Sequence, residues 1–160
     1  LGDGAAAALV VSSENSSTGG ISLKAFTRAS KAQYADYCTL ESIYHPMKTD
    51  SFAMFNGALE HYPGMFKSLI NTINWDVEDI CAIVPHQASL KIINAGISLI
   101  GMTIEKCVIT LDELGNMASV SVPFSLNKLI EKRQPGAGSK IVITAFGSGL
   151  SFSMLALEVI

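Results

Sequence analysis

The sequence predicts an α/β protein built on a mixed sheet, and three observations carry that prediction. Short apolar runs such as the fully apolar ICAIVP (residues 80–85) and CVITL (residues 107–111) read as strands buried on both faces. Longer segments whose apolar residues recur at helical spacing lie between such runs. The last two apolar runs, KIVITAF and SFSMLALEVI, are joined by Gly147-Ser148-Gly149, so they form a hairpin and make the sheet mixed.

Taken in order, AAAALVV (residues 5–11) follows a Gly-Asp-Gly turn and reads as a buried strand. SSENSSTGG (residues 12–20) has no core-forming residue and reads as a linker. ISLKAFT (residues 21–27) alternates apolar and polar, the pattern of a strand with one wet face. Residues 28–50 lack periodicity and read as an irregular excursion forming a pocket wall. From 51 to 75, Phe52, Phe55, Leu59, Met65, Leu69 and Ile73 recur at helical spacing, with Pro63-Gly64 as the expected break. After the 80–85 strand, residues 87–100 read as a helix with Leu90, Ile93, Ile97 and Ile100 as its stripe and Gly101 as its C-cap. Strand 107–111, a DELGN loop, a helix over 118–133 containing Pro123, and the QPGAGS turn lead into the final hairpin. Five strands follow the linker.

The 160 residues suit one domain, and a composition 49% hydrophobic and 16% charged is apolar for a free-standing one. A surface meant for another domain or subunit explains this better than a membrane. The most apolar stretch, LKIINAGISLIGM, contains Lys91 and Asn94 and falls short of the ~18–20 residues of a span. A net charge of -3 without a basic cluster gives no footprint for nucleic acid. Cys38, Cys81 and Cys107 are odd in number and widely spaced, which argues against a disulfide framework and against a zinc site. With no leader-like pattern in view, a reducing cytoplasmic location is expected. Opening inside an apparent strand, the sequence reads as a piece of a longer polypeptide.

Two polar residues stand out by position. His86 follows one buried strand and Asn116 the next, and each precedes a helical segment. Neighbouring parallel strands end at one sheet edge, where open α/β sheets carry their chemistry. A histidine opening a helix feels the positive end of the dipole, which keeps its ring neutral and able to donate. With an asparagine amide it would make an oxyanion hole. The same residues also fit a structural histidine and a capping asparagine, and two residues alone do not define a site. AFGSGLS (residues 145–151) adds a glycine loop whose backbone N–H groups can approach a ligand, although most such loops are only hairpins.

VPHQASL, then LGNMASVSVP with thirty positions from His86 to Asn116, then AFGSGLSFSMLAL, resemble the 3-oxoacyl-acyl-carrier-protein synthase III family of the thiolase-like fold. The opening LGDGAAAALV is similar to the strand that closes that family's N-terminal half. The resemblance implies a layered α-β-α unit with a five-stranded mixed sheet, one half of a five-layered α-β-α-β-α sandwich. Residues 1–18 would hold the last strand of the first half plus the linker, and residues 19–160 the C-terminal domain. It implies decarboxylative Claisen condensation, in fatty acid or polyketide-type synthesis, between an acyl thioester such as acyl-CoA and malonyl-acyl carrier protein. His86 and Asn116 would hold the malonyl thioester oxygen and its enolate. Gly147, Ser148 and Gly149 would supply the acyl-transfer oxyanion amide, Phe146 would flank the reactive thiol, and Lys91 would help receive the carrier protein. No metal or other cofactor is implied, and the usual assembly is a homodimer.

Departures from the family pattern matter. The nucleophilic cysteine belongs to the missing N-terminal half, so this piece alone should not condense anything. Cys81 and Cys107 read as inert core thiols. Ser148 stands where glycine is common, and Met117 is reminiscent of plant-type polyketide synthases. Two rivals remain: a non-catalytic acyl-binding or partner half of a heteromeric synthase, and a Cys38-His86-Asn116 hydrolase in papain-like order.

Overall fold

The computed structural model describes residues 2–12 and 19–160. Most of the linker expected at 12–20 therefore lies outside the described residues. The strands are β1 (Ile21–Ser30), β2 (Cys38–Thr39), β3 (Lys48–Thr49), β4 (Ile80–Pro85), β5 (Lys140–Gly147) and β6 (Ser151–Val159). The helices are α1 (Ser51–Ile73), α2 (Leu90–Leu99), α3 (Leu111–Leu114) and α4 (Ser121–Arg133). The main sheet has the order β1-β6-β5-β4, while β2 and β3 form a separate two-stranded ribbon. β4 runs parallel to β5, and β6 is antiparallel to both β5 and β1, so the sheet is mixed as expected. The segment read as the fifth strand, 107–111, touches β4 through one parallel bridge, Ile83 to Cys107, before Leu111 opens α3.

Strand alternation sorts the core into two layers. Ile83, Val142, Met154 and Ala156 face α1 and α2, meeting Tyr62, Phe66, Leu69, Ile93 and Ile97. Ala82, Val84, Ile141, Ile143 and Leu157 face the other way, against Leu129 and the partly buried Val122 and Leu126 of α4. The result is an α-β-α sandwich.

Several local expectations are corrected. Residues 5–11 form no strand among the described residues and are exposed, Leu9 to 91% and Val10 to 88%. An apolar run becomes a strand only against a partner edge, and here none adjoins it. Pro63 does not break α1. It cannot donate to the Leu59 carbonyl, yet the helix continues because Ala58, Tyr62, Phe66 and Leu69 pack both of its halves against the sheet. That buried stripe is offset from the expected one and leaves Phe52 76% exposed. Asp50 caps this helix by accepting from the Ala53 N–H at 2.9 Å. Helix α2 begins at Leu90 because Ser89 caps it, accepting from the Ile92 N–H at 3.3 Å. Gly101 follows that helix with φ +72, the left-handed position expected of it. Cys81 is exposed rather than core, since the β4–β5 register slips between Ile80 and Ala82 and turns it outward. Cys107 is buried as expected, and burial pushes its thiol up to about 12. The awkward Pro123 falls in the first turn of α4, where its missing N–H costs no helical bond.

Candidate active site at the carboxyl edge of the sheet

The carboxyl ends of β4 and β5 and the segment along β4 lead to one edge of the sheet. At that edge β4 ends in Pro85 and the chain leaves it as a loop, not as a helix. His86 stands three residues before the cap of α2, which corrects the expectation of a histidine in the helix dipole. Its backbone N–H donates to the Thr144 carbonyl of β5 at 2.7 Å, continuing the ladder by one bond. The imidazole is half-buried, and burial rather than the helix holds it below the ordinary histidine value. The ring therefore stays neutral near pH 7, with one nitrogen donating and the other accepting.

His86 and Phe146 line one narrow cleft with Tyr62, Ile93, Gly96 and Thr144. Phe146 stacks on Tyr62 at 5.8 Å between ring centroids and meets Phe152 edge-on at 5.7 Å, so its ring is fixed. Immediately after it, Gly147 and Ser148 are exposed in the β5–β6 turn, which closes through Gly149 at φ +116. Only glycine takes that conformation without strain, and the buried Leu150 anchors the far side of the turn. Ser148 stays on the surface and does not crowd the cleft.

Asn116 does not line this cleft. It follows α3 and Gly115, and its Oδ1 accepts from the Ala118 N–H at 2.9 Å. This is a local turn bond and not a helix cap: the helical segments that follow start from Met117 and Val120, neither with a side-chain cap, so the expected capping role is corrected. The Asn116 Nδ2 has no partner among the described residues and remains able to donate. Its carbonyl accepts from the Gly2 N–H at 2.9 Å, and a Cβ on Gly2 would fall 2.0 Å from the Leu114 carbonyl oxygen. The next residue, Met117, is held from below: its N–H donates to the buried Ser121 Oγ at 2.9 Å.

Lys91 is exposed on α2, with its Nζ 5.5 Å from the Phe55 ring centre. Cys38 lies on the β2–β3 ribbon, its Sγ 3.8 Å from Thr49 Oγ1, and is not part of the cleft holding His86. Among the described residues no group of three or more His, Cys, Asp or Glu side chains could hold a metal ion. Among them, too, no helix is long and apolar enough to cross a membrane.

The residue that sequence reasoning passed over is Gln87. It is fully buried, and its carboxamide bonds the Pro85 carbonyl, the Val108 carbonyl and the Thr110 N–H. The available signal was a glutamine placed between a buried strand and a capping serine, where no solvated helix face exists to receive it.

A sandwich with this strand order and these edge loops is the C-terminal unit of the thiolase-like fold, and solved structures agree. The 3-oxoacyl-(acyl carrier protein) synthase III of Pseudomonas aeruginosa matches with a TM-score of 0.78 at 26% identity, over 85% of this chain and 44% of its own. OleA of Xanthomonas campestris matches with a TM-score of 0.79 at 25% identity, over 86% of this chain and 40% of its own. The beta-ketoacyl-[acyl-carrier-protein] synthase III of Campylobacter fetus is 31% identical over 171 aligned residues, 99% of this chain and 51% of that protein. Its counterpart in Clostridium kluyveri is also 31% identical, covering 52% of that protein. The model of the 3-oxoacyl-[acyl-carrier-protein (ACP)] synthase III C-terminal family matches residues 70–159, and the chain belongs to that family. It spans about half the length of the curated relatives it matches.

Proposed function

We propose that this chain supplies the enolate-binding side of a decarboxylative condensing acyltransferase, working with an N-terminal half that carries the nucleophilic cysteine. The observation that carries the reading is His86: a half-buried imidazole kept neutral by its surroundings, in a cleft shared with a fixed aromatic ring beside an open glycine turn.

In this reading the partner half's thiolate attacks an acyl thioester, forming an acyl-cysteine and releasing the first thiol. The turn at Gly147–Gly149 offers backbone N–H groups to the oxyanion of that transfer. A malonyl thioester then binds with its carbonyl oxygen toward His86 and the Nδ2 of Asn116. As the malonyl carbon–carbon bond breaks and carbon dioxide leaves, the electron pair moves into the thioester as an enolate, whose oxygen accepts both hydrogen bonds. The enolate carbon attacks the acyl-cysteine carbonyl, and collapse of the adduct returns the thiolate and releases a 3-oxoacyl thioester. Neutral donors suit this step, since they bind the developing charge more strongly than the ground-state carbonyl. Phe146 shields the reacting thiol from water, and Lys91 greets an acidic carrier protein. Cytoplasmic, dimeric synthesis of fatty acids or polyketide-like chains is the setting this reading implies.

The test uses the protein joined to its N-terminal half. His86→Ala should lower malonyl-thioester decarboxylation by about 100-fold or more, the loss typical of removing one oxyanion donor, while acylation of the partner cysteine stays within twofold. An equal fall in both steps would show that His86 does not serve the enolate. Wild-type protein that acylates but never decarboxylates would favour the non-catalytic acyl-binding half.

A further inference from the structure

β4 and the segment that carries the chain toward Asn116 ought to be joined by a ladder of backbone bonds, and they are not. The Val108 N–H donates to the Ile83 carbonyl at 2.9 Å, and there the ladder ends. Pro85 has no N–H with which to continue it. Three backbone groups are thereby left inside the protein needing partners: the carbonyls of Pro85 and Val108 and the N–H of Thr110.

A single side chain serves all three. Gln87 Nε2 donates to the Pro85 carbonyl at 2.8 Å and to the Val108 carbonyl at 3.1 Å, and its Oε1 accepts from the Thr110 N–H at 3.0 Å. The residue is 0% exposed, and both amide protons and the acceptor oxygen are used. Thr110 is locked in turn, its Oγ1 lying 2.8 Å from the buried Ser125 Oγ of α4. The carboxamide thus replaces the missing part of the ladder, and it sits next to His86 on one strand and at the root of α3 on the other.

We infer that Gln87 is a positioning residue for the two enolate donors, setting the distance between the loop of His86 and the segment leading through α3 to Asn116. This rests on the reading of that pair given above. Gln87 reaches no substrate; it acts by denying the two segments any freedom to slide or separate. A carboxamide is the side chain that fits, because a carboxylate would set a charged acceptor against two carbonyl oxygens and an apolar group would leave all three backbone groups unpaired.

The experiment again uses the protein joined to its N-terminal half, with Gln87→Met as the main variant. Decarboxylation of malonyl thioester should fall about 10- to 100-fold, the range expected when a donor is misplaced by an ångström or less. Acylation of the partner cysteine should stay within twofold, and the Thr110 amide should exchange with solvent at least tenfold faster. Equal loss of both chemical steps, or an unchanged Thr110 exchange rate, overturns the inference. Should Gln87→Met fail to accumulate folded, Gln87→Asn keeps the amide but shortens its reach, and the same two readouts then support or overturn the inference in the same way. His86→Ala measured alongside separates the two claims. If that variant decarboxylates normally, the function assigned to the pair falls, whereas Thr110 exchange still reports whether Gln87 joins the segments.

Discussion

His86 is held neutral by partial burial, and that has a pH consequence of definite sign. Its folded-state value lies below the ordinary histidine value of 6.5 because burial penalises the charged ring. Well above pH 6.5 the ring is neutral in both folded and unfolded chains, so it adds no pH dependence there. Below 6.5 the unfolded chain takes up the proton first, so stability is lost as pH falls toward the folded-state value, where the loss levels off. A variant without a titrating ring, His86→Gln, does not suffer this loss. The melting-temperature advantage of the wild type over that variant should therefore shrink between pH 7.5 and pH 5. An advantage that grew on acidification would mean the imidazolium is stabilised in the fold, and would contradict a neutral donor. Asn116 shows the complementary economy of a short amide: its oxygen closes a local turn while its Nδ2 has no partner among the described residues.

At the scale of elements, α1 shows how tertiary packing overrides local signals. Pro63 and Gly64 together look like a stop, yet the helix runs for 23 residues because its buried stripe has a sheet to lie on. Gly64 contributes nothing to that packing: it is exposed, and a Cβ there would meet nothing within 4 Å. Gly64→Ala should accordingly stabilise the protein by about 0.5–1 kcal/mol, through lower unfolded-chain entropy and better helix propensity. Chemical denaturation reads this directly, and a destabilised variant would mean that the helix is strained at Pro63. The elements legible in the sequence were those with one dominant signal, such as the unbroken apolar run of β4 and the largely apolar β5 and β6 on either side of a glycine turn. Elements set by a contest were misread: the start of α2 is decided by Ser89 rather than by the apolar periodicity, and Cys81 is turned out by a bulge that no residue type announces. The site divides in the same way. His86 could be found because strand ends can be found, and Phe146 through the resemblance of the AFGSGLS stretch to the family. Gln87 offered a signal of burial but none of its role, because two of its three partners are backbone groups more than twenty residues away, brought close only by the fold.

The whole molecule leaves a large amount of apolar surface uncovered, and it is distributed unevenly. Leu9 and Val10 are about nine-tenths exposed, and so is Tyr44; Ile43 is exposed to 82% and Phe52 to 76%. Scattered apolar residues are ordinary on a surface, but Ala5 to Val11 is a continuous run that makes no strand of its own. Its neighbours Gly2 and Gly4 are nevertheless fitted against the Asn116 loop, where a Cβ would meet Leu114 or Met117. One end of the segment is therefore docked and the other exposes backbone and side chains suited to a sheet edge elsewhere. If residues 5–11 complete the sheet of an N-terminal half, their amides should exchange freely in this chain alone and become protected when that half is supplied. In the same experiment the isolated chain should elute above its 17.0 kDa mass on sizing with light scattering, as exposed apolar faces find one another. Supplying the half should replace that self-association with a defined complex. Free exchange at residues 5–11 in both preparations would sink the strand assignment even if the two halves bind. Protection there, with the Asn116 loop protected in step, would mean that the same segment joins the sheet of one half to the candidate site of the other.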